Sequence, residues 1–283
     1  MVKIVTDTTS GLTLEQAAQL GIPFIPQIIV FGNENYRDDT EIDTKTFLSK
    51  LRASSSLPKT AAPPPALYNP IYQEAVEKGE TVIVICPSAE LSGTVRSATI
   101  AAQDFPGADI RIFDSRTIAG GLASMVLQAN EWAKEGLDAD TIMEKLGQMS
   151  RRHHIYFLVD TLEYLYKGGR IGGAAALFGS ILQVKPILTL RNGRAEPFES
   201  QRTKKRALAR LMEIVAEKYP KSKPGYLSVM RGEAEEEAKA LAEQFSAQLS
   251  IPDVPLYLMP PAILVHAGPG VLAVSFFAEE ENA

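Results

Sequence analysis

Short apolar runs alternate with amphipathic segments over the first half of the chain. The runs KIVTD, TVIVIC and IRIFD predict buried strands, and the segment after each has apolar residues every three or four positions, which predicts a helix. FIPQIIVFG is predicted as one further strand, and residues 139–152 are predicted as a helix. Because strands that alternate with helices form parallel sheets covered on both faces, we predict a mostly parallel α/β sheet domain over residues 1–154.

The pattern changes near residue 155, where runs typical of strands follow one another more closely. VKPILTLRNGRAEPFESQ predicts a β-hairpin with Asn192 and Gly193 at its tip, since Asn-Gly favours a two-residue hairpin turn. GGRIGGAAALFGSIL is predicted as a glycine-rich passage into a helix, and AILVHAGPGVLAVSFFA as strand structure interrupted by GPG. We therefore predict a mixed α+β domain over residues 155–283, and an α/β fold of two domains for the chain.

The composition is that of a folded globular protein. Of the 283 residues, 45% are hydrophobic and 22% are charged, which permits a sizeable core and argues against disorder. The net charge is −5, whereas nucleic-acid-binding proteins usually have a basic excess, so no nucleic acid is expected as a partner. The chain starts without a signal-peptide core and has no apolar run long enough to span a bilayer. We expect a cytoplasmic protein that makes at most transient contact with membranes.

Residue types that bind metals or act as nucleophiles are few. Cys86 is the one cysteine, and its apolar surroundings predict a small buried side chain. The three histidines form no metal-binding motif, so no metal site is predicted. The sequence also contains neither the phosphate-binding motif GxxxxGK[ST] nor the nucleophile motif GxSxG. Catalysis by the chain alone is therefore not expected.

Several predicted strands end in hydroxyl or carboxyl side chains, at the edge where parallel sheets bind ligands. KIVTDTTS ends in Asp, Thr, Thr and Ser at residues 7–10, VIVICPS ends in Ser88, and IRIFDS ends in Asp114 and Ser115. Such residues either cap the helices that follow or form a neutral polar site. In PSAELSGTVRSA, Ser92 and Gly93 precede a predicted helix, where a hydroxyl and free backbone N–H groups suit an anion.

His266 and two basic clusters are further candidates. His266 lies in LVHAGPG, which we predict as the end of a strand and a glycine turn. A lone histidine is either a packed structural residue or a ligand contact, and the neighbouring glycines favour a close approach of ligand and backbone. Basic residues also concentrate at 167–170 and 202–210. Most of the second cluster is predicted to be a solvated helix face, apart from Arg202, which precedes the helix.

Taken together, the motifs resemble those of the DegV family of bacterial fatty-acid-binding proteins. The resemblance extends over nearly the whole chain. The matching segments, in order, are IVTDTTSGL, PKTAAPP, LSGTVRSA, IFDSRTIAGGL, VDTLEYLYKGGRIGG, LQVKPIL, ESQRTKKRA and HAGPGVLAV. The most distinctive of these motifs are LSGT, the LEYLxKGGRI block and HxGPG.

The resemblance implies a two-domain protein that binds one long-chain fatty acid. The carboxylate would lie near the domain junction and the acyl chain in an apolar tunnel. The family's head-group residues correspond here to Thr60, Ser92, His266 and Arg202. Gly93, next to Ser92, would let the ligand approach the backbone. The resemblance also implies an ATP-using fatty acid kinase subunit as partner, which phosphorylates the bound carboxylate, and no cofactor is expected.

Some positions depart from the family pattern or leave alternatives open. Gly11 replaces an acidic residue, and Ala61 and Ala62 replace side chains with a hydroxyl and an amide, which bears on chain-length preference and on docking of the partner. Arg170, in the exposed glycine turn, is predicted to contribute to the partner surface, the alternative being a structural contact at a helix end. Two other functions stay open at this point: a lipid-sensing regulatory protein and a stand-alone small-molecule enzyme.

Overall fold

The part of the chain that the structure describes folds into three β-sheets with helices packed against them. The computed structural model describes residues 1–177 and 184–279. The strands in these residues are β1 (Val2–Asp7), β2 (Phe24–Ile25), β3 (Ile28–Phe31), β4 (Glu34–Arg37), β5 (Lys59–Ala61), β6 (Thr81–Cys86), β7 (Ile110–Asp114), β8 (His153–Leu158), β9 (Lys185–Arg191), β10 (Arg194–Gln201), β11 (Ser228–Arg231), β12 (Leu256–Leu258) and β13 (Leu272–Phe277). The α-helices are α1 (Leu14–Leu20), α2 (Thr44–Ala53), α3 (Asn69–Lys78), α4 (Thr94–Ala102), α5 (Gly120–Lys134), α6 (Ala139–Arg152), α7 (Glu163–Lys167), α8 (Lys204–Lys218), α9 (Glu235–Leu249) and α10 (Pro261–Ala267). Short 3-10 helices form at Thr8–Ser10, Pro65–Leu67 and Gly172–Leu177. The helix predicted after GGRIGG falls largely on residues 178–183, outside the described residues.

A parallel sheet forms the centre of the first half. Its four strands lie in the order β2-β1-β6-β7, and each neighbouring pair is parallel. On one face Ile4 and Ile83 pack against the buried sides of α5 and α6. On the other face Val84 packs with Tyr72 of α3 and Ala98 of α4. The predicted parallel α/β arrangement is therefore confirmed.

Acidic side chains determine where two of the helices begin. Asp43 accepts a hydrogen bond from the backbone N–H of Thr46 (2.6 Å) at the start of α2. Asp138 accepts one from the backbone N–H of Thr141 (2.9 Å) at the start of α6. Both carboxylates satisfy donors that the first turn of a helix leaves without an intrahelical partner.

The segment FIPQIIVFG forms two strands in different sheets, so the prediction of a single strand is wrong. β2 adds to the parallel sheet, whereas β3 is the middle strand of an antiparallel sheet in the order β4-β3-β5. Pro26 has no N–H to donate, and the N–H of Gln27 donates to Oδ1 of Asp38 (2.8 Å). The chain therefore leaves one sheet at these two residues and enters the next.

A mixed six-stranded sheet forms the core of the second half. Its order is β10-β9-β8-β13-β11-β12; the β11–β12 pair is parallel and the other pairs are antiparallel. The predicted hairpin β9–β10 is confirmed, with Asn192 (φ 51°) and Gly193 (φ 80°) in the left-handed conformation at its tip. The predicted domain boundary after residue 154 falls within β8 and stays a prediction.

The last apolar segment forms a helix and then a strand, which corrects the prediction of strand structure interrupted by GPG. PAILVHA forms α10, and after the turn at residues 268–270 the chain continues as β13. Ile263, Leu264 and Val265 are all buried, so the helix has no polar face in this stretch. A short continuous apolar run does not distinguish a buried helix from a buried strand. Pro261 in the first turn favours the helical start.

Helix α5 lies between the parallel sheet and the six-stranded sheet. A Cβ atom at Gly120 would lie 2.3 Å from Ser228 Oγ, and one at Gly121 would lie 2.2 Å from His153 Nε2, so both positions require glycine. His153 Nε2 is hydrogen-bonded to Ser275 Oγ (2.8 Å), and burial lowers the pKa of His153 to about 3. A neutral histidine and small side chains thus form the contact between α5 and the six-stranded sheet.

Candidate ligand-binding site

A mainly apolar cavity lies between the carboxyl-terminal edge of the parallel sheet and the six-stranded sheet. It encloses about 810 Å³ of empty space, including the part that is open to solvent. Its apolar lining includes Ile155, Phe157, Leu190, Met259, Ile263 and Val271. Its polar lining residues are Thr9, Gln27, Thr60, Ser92, Arg170 and His266. Five of these six polar residues, all except Gln27, are ones that the sequence singles out, and they share one cavity.

Thr60 and His266 meet at this cavity although 206 positions separate them in sequence. Thr60 is in β5, where it pairs with Ile29 of β3, and His266 is in the last turn of α10. Their Oγ1 and Nε2 atoms are hydrogen-bonded at 2.8 Å. A Cβ atom at Gly168 would lie 2.2 Å from His266 Nδ1, so the end of α7 packs directly against the imidazole.

The imidazole of His266 is neutral at pH 7. Burial lowers its pKa to about 4, and the positive charge of Arg170 acts in the same direction. Within the described residues the buried Nδ1 atom has no hydrogen-bond partner. A buried N–H group without an acceptor costs more free energy than a buried unprotonated nitrogen without a donor. We therefore assign the proton of the neutral imidazole to Nε2 and leave Nδ1 unprotonated. His266 then donates to Thr60, whose own hydroxyl hydrogen can point to another acceptor.

Ser92 and Gly93 lie in the turn between β6 and α4. Ser92 Oγ is 2.8 Å from Thr94 Oγ1 and also accepts a hydrogen bond from the backbone N–H of Thr94 (3.3 Å). Gly93 does not line the cavity itself; a Cβ atom there would lie 3.2 Å from the Cβ of Ala62. Gly93 thus allows close packing against the segment after β5, and its predicted proximity to a ligand stays a prediction.

Arg170 lies after α7 and borders both the cavity and the surface. Its Nε donates to the backbone O of Leu91 (3.0 Å), and a terminal nitrogen donates to the O of Gly168 (2.7 Å). Gly168 follows the last residue of α7, so the structural contact that we considered as the alternative is present. The role of Arg170 in a partner surface stays a prediction.

Arg202 is not brought to the cavity. It is exposed in the turn between β10 and α8, seven residues beyond Ala195, the residue of β10 that lines the cavity. Seven residues of an extended strand span about 23 Å. In addition, α8 packs through Leu211 on the face of the six-stranded sheet that contains Leu158 and Ile187, opposite the face with Ile155. The cation that the structure places at the cavity is Arg170, which the resemblance did not assign to the head group.

Gln27 lines the cavity and was not singled out by the sequence. Its side-chain Nε2 donates to Asp7 Oδ2 (2.9 Å) and to Thr94 Oγ1 (2.9 Å). Its backbone N–H and O are both hydrogen-bonded to Asp38. Burial raises the pKa of Asp7 to about 6 and that of Asp38 to about 7. A polar residue inside the apolar run FIPQIIVFG is the one signal that the sequence offered for this position.

The hydroxyl and carboxyl groups at the strand ends divide into two sets: those at the end of β1, which lie at or beside the cavity, and those at the ends of β6 and β7, which bind loop backbone. Thr9 lines the cavity, and its backbone N–H donates to Asp7 Oδ1 (2.8 Å). Ser88 instead donates to the backbone O of Gly193 (2.9 Å), which attaches the hairpin tip to the parallel sheet. Asp114 Oδ1 accepts hydrogen bonds from the loop N–H groups of Ala89 and Arg116, so it holds loop backbone and not the first turn of a helix. Only the first set lies near the site.

Two further observations concern the described ranges, 1–177 and 184–279. No group of three or more His, Cys, Asp or Glu side chains in them could bind a metal ion. No helix in them is long and apolar enough to cross a membrane.

The fold and the cavity define a class: an α/β protein in which a mainly apolar cavity with a few polar lining residues lies between a parallel sheet and a mixed sheet. The chain belongs to the DegV family, because the model of the family described as "Uncharacterised protein, DegV family" matches residues 1–279. It is 35% identical to a DegV domain-containing protein of Deinococcus radiodurans over 277 residues, 97% of each chain.

Solved structures of two relatives have the same fold. The chain is similar to DegV of Bacillus subtilis, described as a fatty acid binding protein, with a TM-score of 0.89 and 34% identity over 98% of this chain and 99% of that one. It is also similar to a DegV family protein from Thermus thermophilus, described by its fatty acid binding, with a TM-score of 0.85 and 32% identity over 98% and 99%.

Proposed function

We propose that this protein binds a long-chain fatty acid in the cavity between its two sheets, with the carboxylate at Thr60, Ser92 and His266. The observation that supports the proposal most directly is the composition of the cavity wall, which is apolar except for the six polar lining residues described above. Each methylene buried there contributes about 0.8 kcal/mol, so an acyl chain is bound without a covalent link. The fatty acid binding described for the two relatives supports the same ligand.

The head group is recognised by hydrogen-bond donors beside a positive charge. His266 donates to Thr60 Oγ1, which leaves the Thr60 hydrogen for the carboxylate. Ser92 supplies a second hydroxyl, and Arg170 lies on the same lining. A carboxylate next to an apolar cavity requires such partners, because an unpaired buried charge is costly. A bound anion also raises the pKa of His266 from its low value, since it favours the imidazolium form.

The bound lipid provides the first test. Protein purified from a bacterial host is expected to release stoichiometric fatty acid on denaturing extraction, detected by mass spectrometry. Delipidated protein should take up palmitate or oleate at a ratio of one per chain. Protein that contains no acyl chain after purification and after incubation with either lipid would contradict the proposal.

The second part of the proposal is that the protein presents the fatty acid to an ATP-using kinase subunit, which forms an acyl-phosphate in the cytoplasm. Arg170 supports this, because its side chain lines the cavity and also two surface grooves beside Ser92 and Arg194. A partner that contacts these grooves would reach the carboxylate end of the cavity. The chain supplies the ligand and the partner supplies the phosphoryl transfer.

Arg170→Glu tests the presentation step when the variant and the wild type are compared at equal lipid occupancy, because Arg170 also lines the cavity. We expect acyl-phosphate formation with the kinase subunit to fall by about tenfold or more, because the charge at the shared groove is reversed. Lys205→Glu, on the exposed face of α8, is the matched charge-reversal control. Phosphorylation that is as fast with Arg170→Glu as with wild type, at equal lipid occupancy, would refute a role of this surface.

A further inference from the structure

A chain of hydrogen bonds leads from the buried carboxylate of Asp7 to the hydroxyl of Ser92. Gln27 Nε2 is 2.9 Å from Asp7 Oδ2 and 2.9 Å from Thr94 Oγ1, and Thr94 Oγ1 is 2.8 Å from Ser92 Oγ. Asp7, Gln27 and Thr94 are all buried, and Ser92 lines the cavity. We call these four residues the Asp7–Ser92 chain.

Asp7 determines which way the amide of Gln27 is turned. Oδ1 of Asp7 accepts hydrogen bonds from the N–H and the hydroxyl of Thr9, and Oδ2 faces Gln27. An ionised carboxylate only accepts hydrogen bonds, so the NH2 group of Gln27, and not its oxygen, must point to it. The second N–H of the same group then donates to Thr94 Oγ1. The direction of donation is therefore fixed as far as Thr94.

The direction at Ser92 depends on where the hydroxyl hydrogen of Thr94 points. Thr94 Oγ1 already accepts from Gln27, and its own hydrogen can go to Ser92 Oγ or to Asp7. When it goes to Ser92, that oxygen accepts from both the hydroxyl and the backbone N–H of Thr94. Both lone pairs of Ser92 Oγ are then used. The hydrogen of Ser92 is left to point into the cavity.

We propose that Gln27 and Thr94 are positioning residues that direct the Ser92 hydroxyl hydrogen at the carboxylate of the ligand. This inference rests on the proposed function, and it adds that the site selects an anionic head group over a neutral one through the orientation of one hydroxyl. A hydrogen bond to a charged acceptor is about twice as strong as one between neutral groups, so correct orientation matters more for a carboxylate than for an alcohol.

The experiment compares two ligands of one chain length, palmitate and 1-hexadecanol, by competitive displacement of a fluorescent fatty acid. Thr94→Val removes the hydroxyl with little change in volume, and we expect the ratio of palmitate to hexadecanol affinity to fall by about tenfold. Thr94→Ser keeps the hydroxyl and loses only the methyl group, so its affinity ratio should stay within about twofold of wild type. Gln27→Met, which removes both amide donors without changing the charge, should lower the ratio in the same way.

Two controls separate positioning from packing. Thr99→Val makes the same substitution in α4 at an exposed residue whose hydroxyl donates to Val95 O, and it should leave the ratio unchanged. In a Ser92→Ala background, Thr94→Val should have no further effect on the ratio, because the hydroxyl that it directs is absent. Melting temperatures of all variants identify any that fold poorly, and the Thr94 pair is decisive if Gln27→Met does not fold.

The outcomes distinguish this inference from the proposed function. Wild-type protein that binds neither palmitate nor hexadecanol would refute the proposed function. Wild-type protein that binds palmitate, together with a Thr94→Val ratio equal to that of wild type, would refute the positioning role alone. An equal loss with Thr94→Ser, or an undiminished effect of Thr94→Val without Ser92, would likewise show that Thr94 acts by packing.

Discussion

Asp38 is a buried acid whose ionised form is poorly compensated. Its Oδ1 accepts the hydrogen bond of the Gln27 backbone, whereas Oδ2 has no hydrogen-bond partner in the described residues. Burial raises its pKa to about 7, and the negative charges of Asp7 and Asp39 act in the same direction. The buried carboxylate of Asp38 lowers the stability of the folded protein, but the hydrogen bonds of Asp38 to the backbone of Gln27 hold that residue beside the cavity.

The stability of the protein should therefore depend on pH through Asp38. Its folded-state pKa is above the unfolded value of 3.8, so its favourable contribution is complete below pH 4 and is lost as the pH rises toward 7. Asp38→Asn keeps an acceptor for Gln27 and removes the charge. We expect the variant to be more stable than wild type by about 1–3 kcal/mol at pH 8, a difference that narrows as the pH falls from 7 toward 4. Urea unfolding between pH 4.5 and 8 measures this difference.

Asp138→Asn is the matched control for this experiment. Hydrogen bonds from Thr141 lower the pKa of Asp138, so its carboxylate stabilises the protein above pH 4 and loses this effect on acidification. Because that loss falls below about pH 4, the control should be less stable than wild type by a constant amount between pH 4.5 and 8 and should show no pH trend there. An Asp38→Asn variant that is less stable than wild type at pH 8 would contradict the assignment of a costly buried charge.

Among the site residues, those adjacent to distinctive motifs could be predicted and those defined by tertiary contacts could not. Thr60, Ser92 and His266 each lie in a quoted motif, and the structure brings all three to one cavity. Arg202 also lies in a motif, but its distance from the cavity depends on the length and direction of β10. Gln27 lies in no recognised motif, and its importance follows only from hydrogen bonds to residues 11 to 67 positions away.

At the scale of elements, the sequence predicts strands and helices well where periodicity and capping agree. α6 matches its predicted bounds because Asp138 caps an amphipathic segment. α10 was predicted as a strand because every side of it is buried, so the period of 3.6 residues does not appear in the sequence. The β2–β3 segment was predicted as one strand because its residues form a nearly continuous apolar run. Pro26 interrupts the backbone hydrogen bonding there without interrupting that run. α10 lines the cavity, and so does Gln27, which lies between β2 and β3.

The contact between α7 and α10 should be sensitive to a single methyl group. Gly168 has an ordinary backbone conformation, but a Cβ atom there would lie 2.2 Å from His266 Nδ1 and 2.8 Å from Tyr164 O. Gly168→Ala is therefore expected to displace His266 from Thr60, with a loss of about 1–3 kcal/mol in stability and weaker palmitate binding. Thermal unfolding and a binding titration measure the two effects.

Gly147→Ala provides the comparison for Gly168→Ala. Gly147 is inside α6, and the nearest atom to an added Cβ is Arg151 Nη1 at 3.7 Å. Alanine favours the helix at this position by about 1 kcal/mol, so this variant should be as stable as wild type or more stable, with unchanged binding. If Gly168→Ala and Gly147→Ala had the same stability and the same palmitate affinity, the α7–α10 contact would accommodate the added methyl group without a loss of free energy.

At the scale of the whole molecule, the cavity belongs to neither half alone. Thr60 and Ser92 come from the first half, whereas His266 and Leu190 come from the second. Helix α5 packs against the parallel sheet through its apolar side chains and against the six-stranded sheet through glycines that leave no space for a side chain. A ligand that fills the cavity therefore interacts with elements that are distant in sequence, and it does so only when both halves are folded and in contact.

Hydrogen exchange tests this coupling directly. Palmitate at a hundred times its dissociation constant stabilises the folded state by about 2.7 kcal/mol, which corresponds to a rise in melting temperature of about 4–5 °C for a chain of this size. The ligand should slow exchange in β5 of the first half and in α10 of the second half together, since both line the cavity. α6, whose buried face packs against the parallel sheet away from the cavity, serves as the internal control. If the ligand slowed exchange in only one half of the chain, the lipid would bind to that half alone. This result would contradict binding in the cavity that Thr60 and His266 both line.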